Sequence, residues 1–118
     1  MQTDLNPQKP PENPADRRRH PRYRFSIPLK IRSADGTSIP GISIEISESG
    51  LSAITADPLK VDDIVTLEPI AGRVSARVRR HIGRVYGFEF LNVTADQAER
   101  IRESCKMLPR YLGGSLNI

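Results

Sequence analysis

Three observations predict an all-β chain, an antiparallel barrel or sandwich, with one C-terminal helix. Aliphatic residues alternate with polar ones in several short runs, turn residues separate those runs every 8 to 12 residues or so, and one late stretch has helical spacing. The chain has 118 residues, 37% of them hydrophobic and 5% aromatic, with no Trp. That is enough for one domain with one core, built mainly from Ile, Val and Leu.

Residues 1 to 16 carry Pro7, Pro10, Pro11 and Pro14 and only Met1, Leu5 and Ala15 as apolar groups. They cannot bury enough surface to offset their ordering entropy and are expected to be a disordered, polyproline-like tail. Residues 17 to 25 begin a basic run without helical periodicity, in which Pro21 biases His20 away from helix. An arginine-rich loop or arm is expected there, with the folded unit covering residues 26 to 118.

Ile27, Leu29 and Ile31 then alternate with polar or turn residues, and Asp35-Gly36 is a turn signal. Ile42, Ile44 and Ile46 alternate with Ser43, Glu45 and Ser47, which predicts a strand whose Ile face enters the core while Glu45 and Ser47 point outward. Gly50 ends it. Leu51 to Thr55 and Ile64 to Leu67 are further strands. Val74, Ala76 and Val78 alternate with Ser75, Arg77 and Arg79, and after Gly83 the residues Tyr86, Phe88 and Phe90 share one face. Thr94 and Gln97 have capping-box spacing, and Ala98, Ile101, Cys105 and Leu108 recur at helical intervals, predicting a helix over about 95 to 108.

Several function classes are excluded at this level. No apolar stretch approaches the roughly 18 to 20 residues of a spanning helix, and the N-terminus has no signal-peptide core. A cytoplasmic protein without membrane insertion is therefore expected. A single cysteine, Cys105, excludes an internal disulfide and a multi-cysteine metal site. Its place on the inner stripe of the helix makes it buried filler rather than a nucleophile. His20 and His81 lack ligand-spaced companions, and no Gly-rich phosphate loop is present. Neither an enzyme, nor a metal site, nor a bound cofactor is expected.

Eighteen Lys and Arg against fourteen Asp and Glu give a net charge of +4. Seven basic residues and no acidic one fall between Arg17 and Arg32, so an anionic partner is expected. Guanidinium groups bind phosphate or guanine O6/N7 in bidentate fashion and stack on bases, which suits Arg17, Arg18 and Arg22 to a nucleotide. Near the end of the Ile-rich strand, Glu45, Ser47 and Gly50 set a carboxylate, a hydroxyl and a turn residue together. Either feature alone has an ordinary reading, as a solvated basic run or as a strand end.

Together they form an RxxxR arm, a strand and hairpin, and then a variant of [D/N]xSxxG at a strand end. This pattern resembles PilZ domains, the bacterial receptors for cyclic di-GMP, over about Arg17 to Leu108. SIPLKI, GLSA and YGFEFLNVTADQAERI are similar to the same family. The resemblance implies a six-stranded antiparallel β-barrel with the arm crossing one sheet. It also implies that Arg18 and Arg22 bind phosphates and guanine of cyclic di-GMP. Arg17 matches the extra arginine of RRxxxR, a form that often accompanies an intercalated ligand dimer. Ser47 and Gly50 match the second motif; Glu45 departs from it, standing where the family has Asp or Asn to accept guanine N–H groups. Glu keeps the charge but adds a methylene, so weakened binding is expected.

The leading expectation is a receptor in which ligand gathers a self-repelling arm onto the Glu45 and Ser47 face, altering a surface that a partner protein reads. A PilZ domain that has lost its ligand and docks to a protein is the alternative. A basic barrel binding single-stranded nucleic acid is the least favoured reading. Tyr23 and Tyr86 are its only accessible stacking groups, too few for a platform.

Overall fold

The computed structural model describes residues 20–109. The tail 1 to 16, Arg17, Arg18 and the last nine residues therefore lie outside it. Seven strands and one helix follow in order: β1 (Tyr23–Arg24), β2 (Pro28–Ser33), β3 (Ser38–Ile46), β4 (Gly50–Thr55), β5 (Ile64–Glu68), β6 (Val74–Ile82), β7 (Val85–Leu91) and α1 (Ala95–Lys106). All strand pairs are antiparallel. The order β3-β2-β5-β6-β7-β4, closed by the β3–β4 pair, makes a six-stranded barrel. β1 is a short addition that pairs with Glu45 and Ile46 on β3, beyond the stretch that β2 occupies.

Alternation places the core as expected in most strands. Leu29 and Ile31 of β2, Val74, Ala76 and Val78 of β6, and Tyr86, Phe88 and Phe90 of β7 are all buried. The β2–β3 hairpin turns at Gly36, whose φ of +91° suits a residue without Cβ. Asp35 accepts the Thr37 N–H at 2.9 Å there. That bond holds the Asp35 carboxyl below its ordinary pKa.

The expectation for β3 needs correction. Its register shifts between Ser43 and Glu45, so one residue is inserted and the inward series changes phase. Only Ile46 of the three isoleucines enters the core; Ile42 is 54% exposed and Ser43 is buried instead. Ser43 Oγ donates to the Phe25 carbonyl and accepts the Ile27 N–H, satisfying the hydroxyl where the arm joins β2. Glu45 and Ser47 are both buried; Glu45 pairs with Ser52, on the face opposite the core residues Leu51 and Ala53, so it points outward as expected but lies covered by Arg22.

The capping box forms as read, with Thr94 Oγ1 accepting Gln97 N–H at 3.1 Å and Gln97 Oε1 accepting Thr94 N–H at 3.2 Å. Ile101 and Cys105 pack into the core. α1 stops at Lys106 rather than Leu108, because Met107 caps it and Pro109 disfavours helical backbone at the residue before it. Burial pushes the Cys105 thiol up to about 11, with Glu48 adding its negative charge.

Candidate functional site

The site begins with the strand pairing that brings the arm to β3. Tyr23 and Arg24 lie opposite Ile46 and Glu45. Phe25 N–H donates to Ile44 O at 3.1 Å, and Arg24 N–H to Pro109 O at 2.8 Å, just past α1. The arm from Tyr23 onward is therefore part of the sheet.

Pairing at β1 directs Arg22 onto Glu45. Arg22 NH1 lies 3.0 Å from Glu45 Oε2, with Arg22 2% and Glu45 0% exposed. Ser52 Oγ donates to the same oxygen at 3.1 Å. Ser52 stands opposite Glu45 in the β3–β4 register, between the core residues Leu51 and Ala53. A buried carboxylate requires such partners, since desolvating an ion without compensation costs several kcal/mol or more.

The loop from Ser47 to Gly50 is held by the Ser47 hydroxyl. Ser47 N–H and Oγ donate to Gly50 O at 2.8 and 3.3 Å, and Oγ accepts the Ser49 N–H at 3.2 Å. Phe90 N–H binds Ser49 O at 2.9 Å and ties the loop to β7. Gly50 is the first residue of β4, opposite Glu89, and has no left-handed φ. Glu48 lies 3.9 Å from both His20 Nε2 and Arg102 NH1, so it sits between the arm and α1.

Arg22, Glu45, Ser47 and Gly50 are thus brought to one place, while Arg17 and Arg18 lie outside the described residues. Sequence reasoning assigned no role to Ser52, Ser43 or Glu48. The GLSA segment contains Ser52, and its polar side chain between two core residues was the available signal.

Tyr86 is buried and its hydroxyl accepts the Leu59 N–H at 3.1 Å, which corrects the expectation of an accessible ring. Among the described residues, no group of three or more His, Cys, Asp and Glu side chains is placed to hold a metal, and no helix is long and apolar enough to cross a membrane.

The PilZ domain family model matches residues 16–106. No curated protein matches the chain. The fold is similar to the PilZ domain with c-di-GMP of YcgR from Escherichia coli, at 18% identity and a TM-score of 0.65, covering 78% of this chain and 91% of that one. It is also similar to the PilZ domain of CeSA from a cellulose-synthesizing bacterium, at 18% identity and a TM-score of 0.58, covering 73% and 95%. The Bacillus subtilis inhibitor of motility, MotI/DgrA, is 20% identical with a TM-score of 0.64, covering 77% of this chain and half of that one. At these identities the likeness is one of fold, whereas the family model spans arm, barrel and helix together. The chain belongs to the PilZ domain family.

Proposed function

We propose that the protein is a non-catalytic receptor for cyclic di-GMP, with Arg17, Arg18 and Arg22 as cationic groups and Glu45, Ser47 and Gly50 as the opposing strand end. One observation carries this reading. Two segments 23 residues apart, each matching half of the family's paired motif, meet through the buried Arg22–Glu45 contact. The resemblance of the fold to a PilZ domain determined with c-di-GMP supports it.

In this reading Glu45 fixes the guanidinium of Arg22, Ser47 shapes the loop beside it, and Arg17 and Arg18 supply the charge that collects the ligand's phosphates. Because Arg22 is covered, ligand contact requires local opening of the arm around His20 and Pro21. That opening alters the arm surface offered to a partner protein.

The test is a titration of the full chain with cyclic di-GMP by calorimetry and amide NMR, with GTP and a short single-stranded RNA as controls. Micromolar binding of cyclic di-GMP alone, shifting residues 20 to 24 and 45 to 50, is expected. Arg18→Ala should weaken it at least tenfold, with the unfolding midpoint unchanged. Equal affinity in that variant refutes the site.

The burial of Arg22 favours a second reading, a PilZ domain that docks to protein without ligand, because Glu45 already occupies the position an anion would take. It predicts no response to cyclic di-GMP. The nucleic-acid reading loses support with the burial of Tyr86.

A further inference from the structure

Four aliphatic side chains lie in register across the outside of the barrel. Ile42 on β3 stands opposite Ile54 on β4, Ile54 opposite Val85 on β7, and Val85 opposite Ile82 on β6. Cross-strand partners project from one face, and strands lie about 4.8 Å apart, so the row spans roughly 14 Å. Ile42 is 54%, Ile54 45% and Ile82 69% exposed, and Val85 is half-buried. A sheet face turned to water ordinarily carries polar residues at these positions. A contiguous aliphatic row on rigid strands marks a contact surface.

Two shallow depressions flank the Ile42–Ile54 ridge. Arg24 and Ser26 help to line one, Pro40 and Arg84 the other. An arginine thus stands on each side of the apolar row. Among the described residues the Arg84 guanidinium donates to the carbonyls of Thr55 and Ala56, at 3.3 and 3.2 Å. Among the described residues neither Arg24 nor Arg84 has a carboxylate within 4.0 Å. Arg77 and Arg80 on β6 likewise have none, whereas Arg32, Arg73, Arg79, Arg100 and Arg102 each have one. A second copy pressing the same face against this one would bring unneutralised arginines together. A chain segment that fills both depressions and supplies carboxylates complements the face in shape and in charge.

We infer that this face docks a partner protein through an amphipathic segment whose aliphatic side chains cover the Ile42–Ile54–Val85–Ile82 row and whose carboxylates meet Arg24 and Arg84. The surface adjoins the candidate ligand site, since Arg24 is opposite Glu45, yet its chemistry does not depend on a nucleotide.

The experiment selects random peptides of about 12 residues, displayed on phage, against the full chain; a helix covering 14 Å needs about ten residues. Enriched peptides should combine Leu, Ile or Val with Asp or Glu and shift the amides of Ile42, Ile54, Ile82 and Val85. Ile54→Ser and Arg84→Glu should each weaken the best peptide at least tenfold while leaving the cyclic di-GMP titration as in the parent, with the unfolding midpoint of Ile54→Ser also unchanged. Exposed positions make both variants compatible with folding. Basic consensus sequences, binding elsewhere, or no enrichment over an unrelated protein would overturn the proposal. So would Ile54-dependent binding to phosphatidylglycerol vesicles, or Ile54-dependent dimerisation in the ultracentrifuge, either of which assigns the face to another occupant.

Discussion

Glu45 is one methylene longer than the family's Asp, and that length matters because a single oxygen, Oε2, meets both Arg22 at 3.0 Å and Ser52 at 3.1 Å. Removing one member of such a buried pair strands the other charge, at about 3 to 5 kcal/mol. Arg22→Ala should lower unfolding stability by about 3 kcal/mol in urea. Replacing both residues by apolar ones of similar volume should be much milder, which a double-mutant cycle reads directly. Glu45→Asp draws the carboxylate back and loosens its hold on Arg22. Under the receptor reading its cyclic di-GMP affinity rises, by about three- to tenfold or roughly 1 kcal/mol in calorimetry; unchanged or weaker binding would show that Glu45 itself favours the complex. Cys105 gives a separate prediction. Its folded thiol titrates at about 11 instead of 9.0. Between those values the native state holds a proton that the unfolded chain releases, so its contribution is intact below pH 9 and lost as pH rises through 11. Cys105→Ala should flatten that part of the pH–stability curve, and the parent thiol should resist thiol reagents at pH 8 until urea is added.

At the level of elements, the alternating pattern was a reliable guide wherever one register ran the length of a strand, as in β6 and β7. It misled on β3 because Ile-Ser-Ile-Glu-Ile reads as one uninterrupted alternation although the pairing shifts between Ser43 and Glu45. Alternation shows which residues share a face, but nothing in it marks where an extra residue enters. The same slip explains why the site was only half legible. Arg22, Glu45, Ser47 and Gly50 were named through the paired motif and the fold brings them together, whereas Ser52 joins them through a cross-strand register that no single segment reveals. Turn chemistry was more direct. Gly36 has a φ of +91° and open space around the position of a Cβ, so Gly36→Ala meets backbone strain and no clash, and should cost about 1 to 2 kcal/mol in urea unfolding. Gly41 is the reverse case. A Cβ there lies 3.0 Å from both Ile31 Cδ1 and the Ile54 carbonyl, so Gly41→Ala must displace backbone of β4 and should loosen the β3–β4 closure, seen as faster amide exchange along β4.

For the whole molecule, β3 is the strand on which the separate features converge. It closes the barrel against β4, carries β1 on its far end and presents Ile42 outward. Glu45 on this strand also holds Arg22. Under the receptor reading, ligand contact at Arg22 is mechanically linked to the strand that shuts the core, and its energy should appear in global stability as well as in the arm. A ligand that binds only the folded state stabilises it by about 2.7 kcal/mol at 100 times its Kd. In a domain of this size that corresponds to a rise of the order of 10 °C in Tm. Cyclic di-GMP should produce such a rise in the parent chain and a far smaller one in Arg18→Ala at the same concentration. Ile54→Ser should retain the full rise, because its side chain lies on the apolar row and outside the arm. If Tm does not move with cyclic di-GMP in the parent while the peptide-binding face still responds to Ile54→Ser, the domain works by docking alone, and the buried Arg22–Glu45 pair serves as a permanent clasp between arm and barrel.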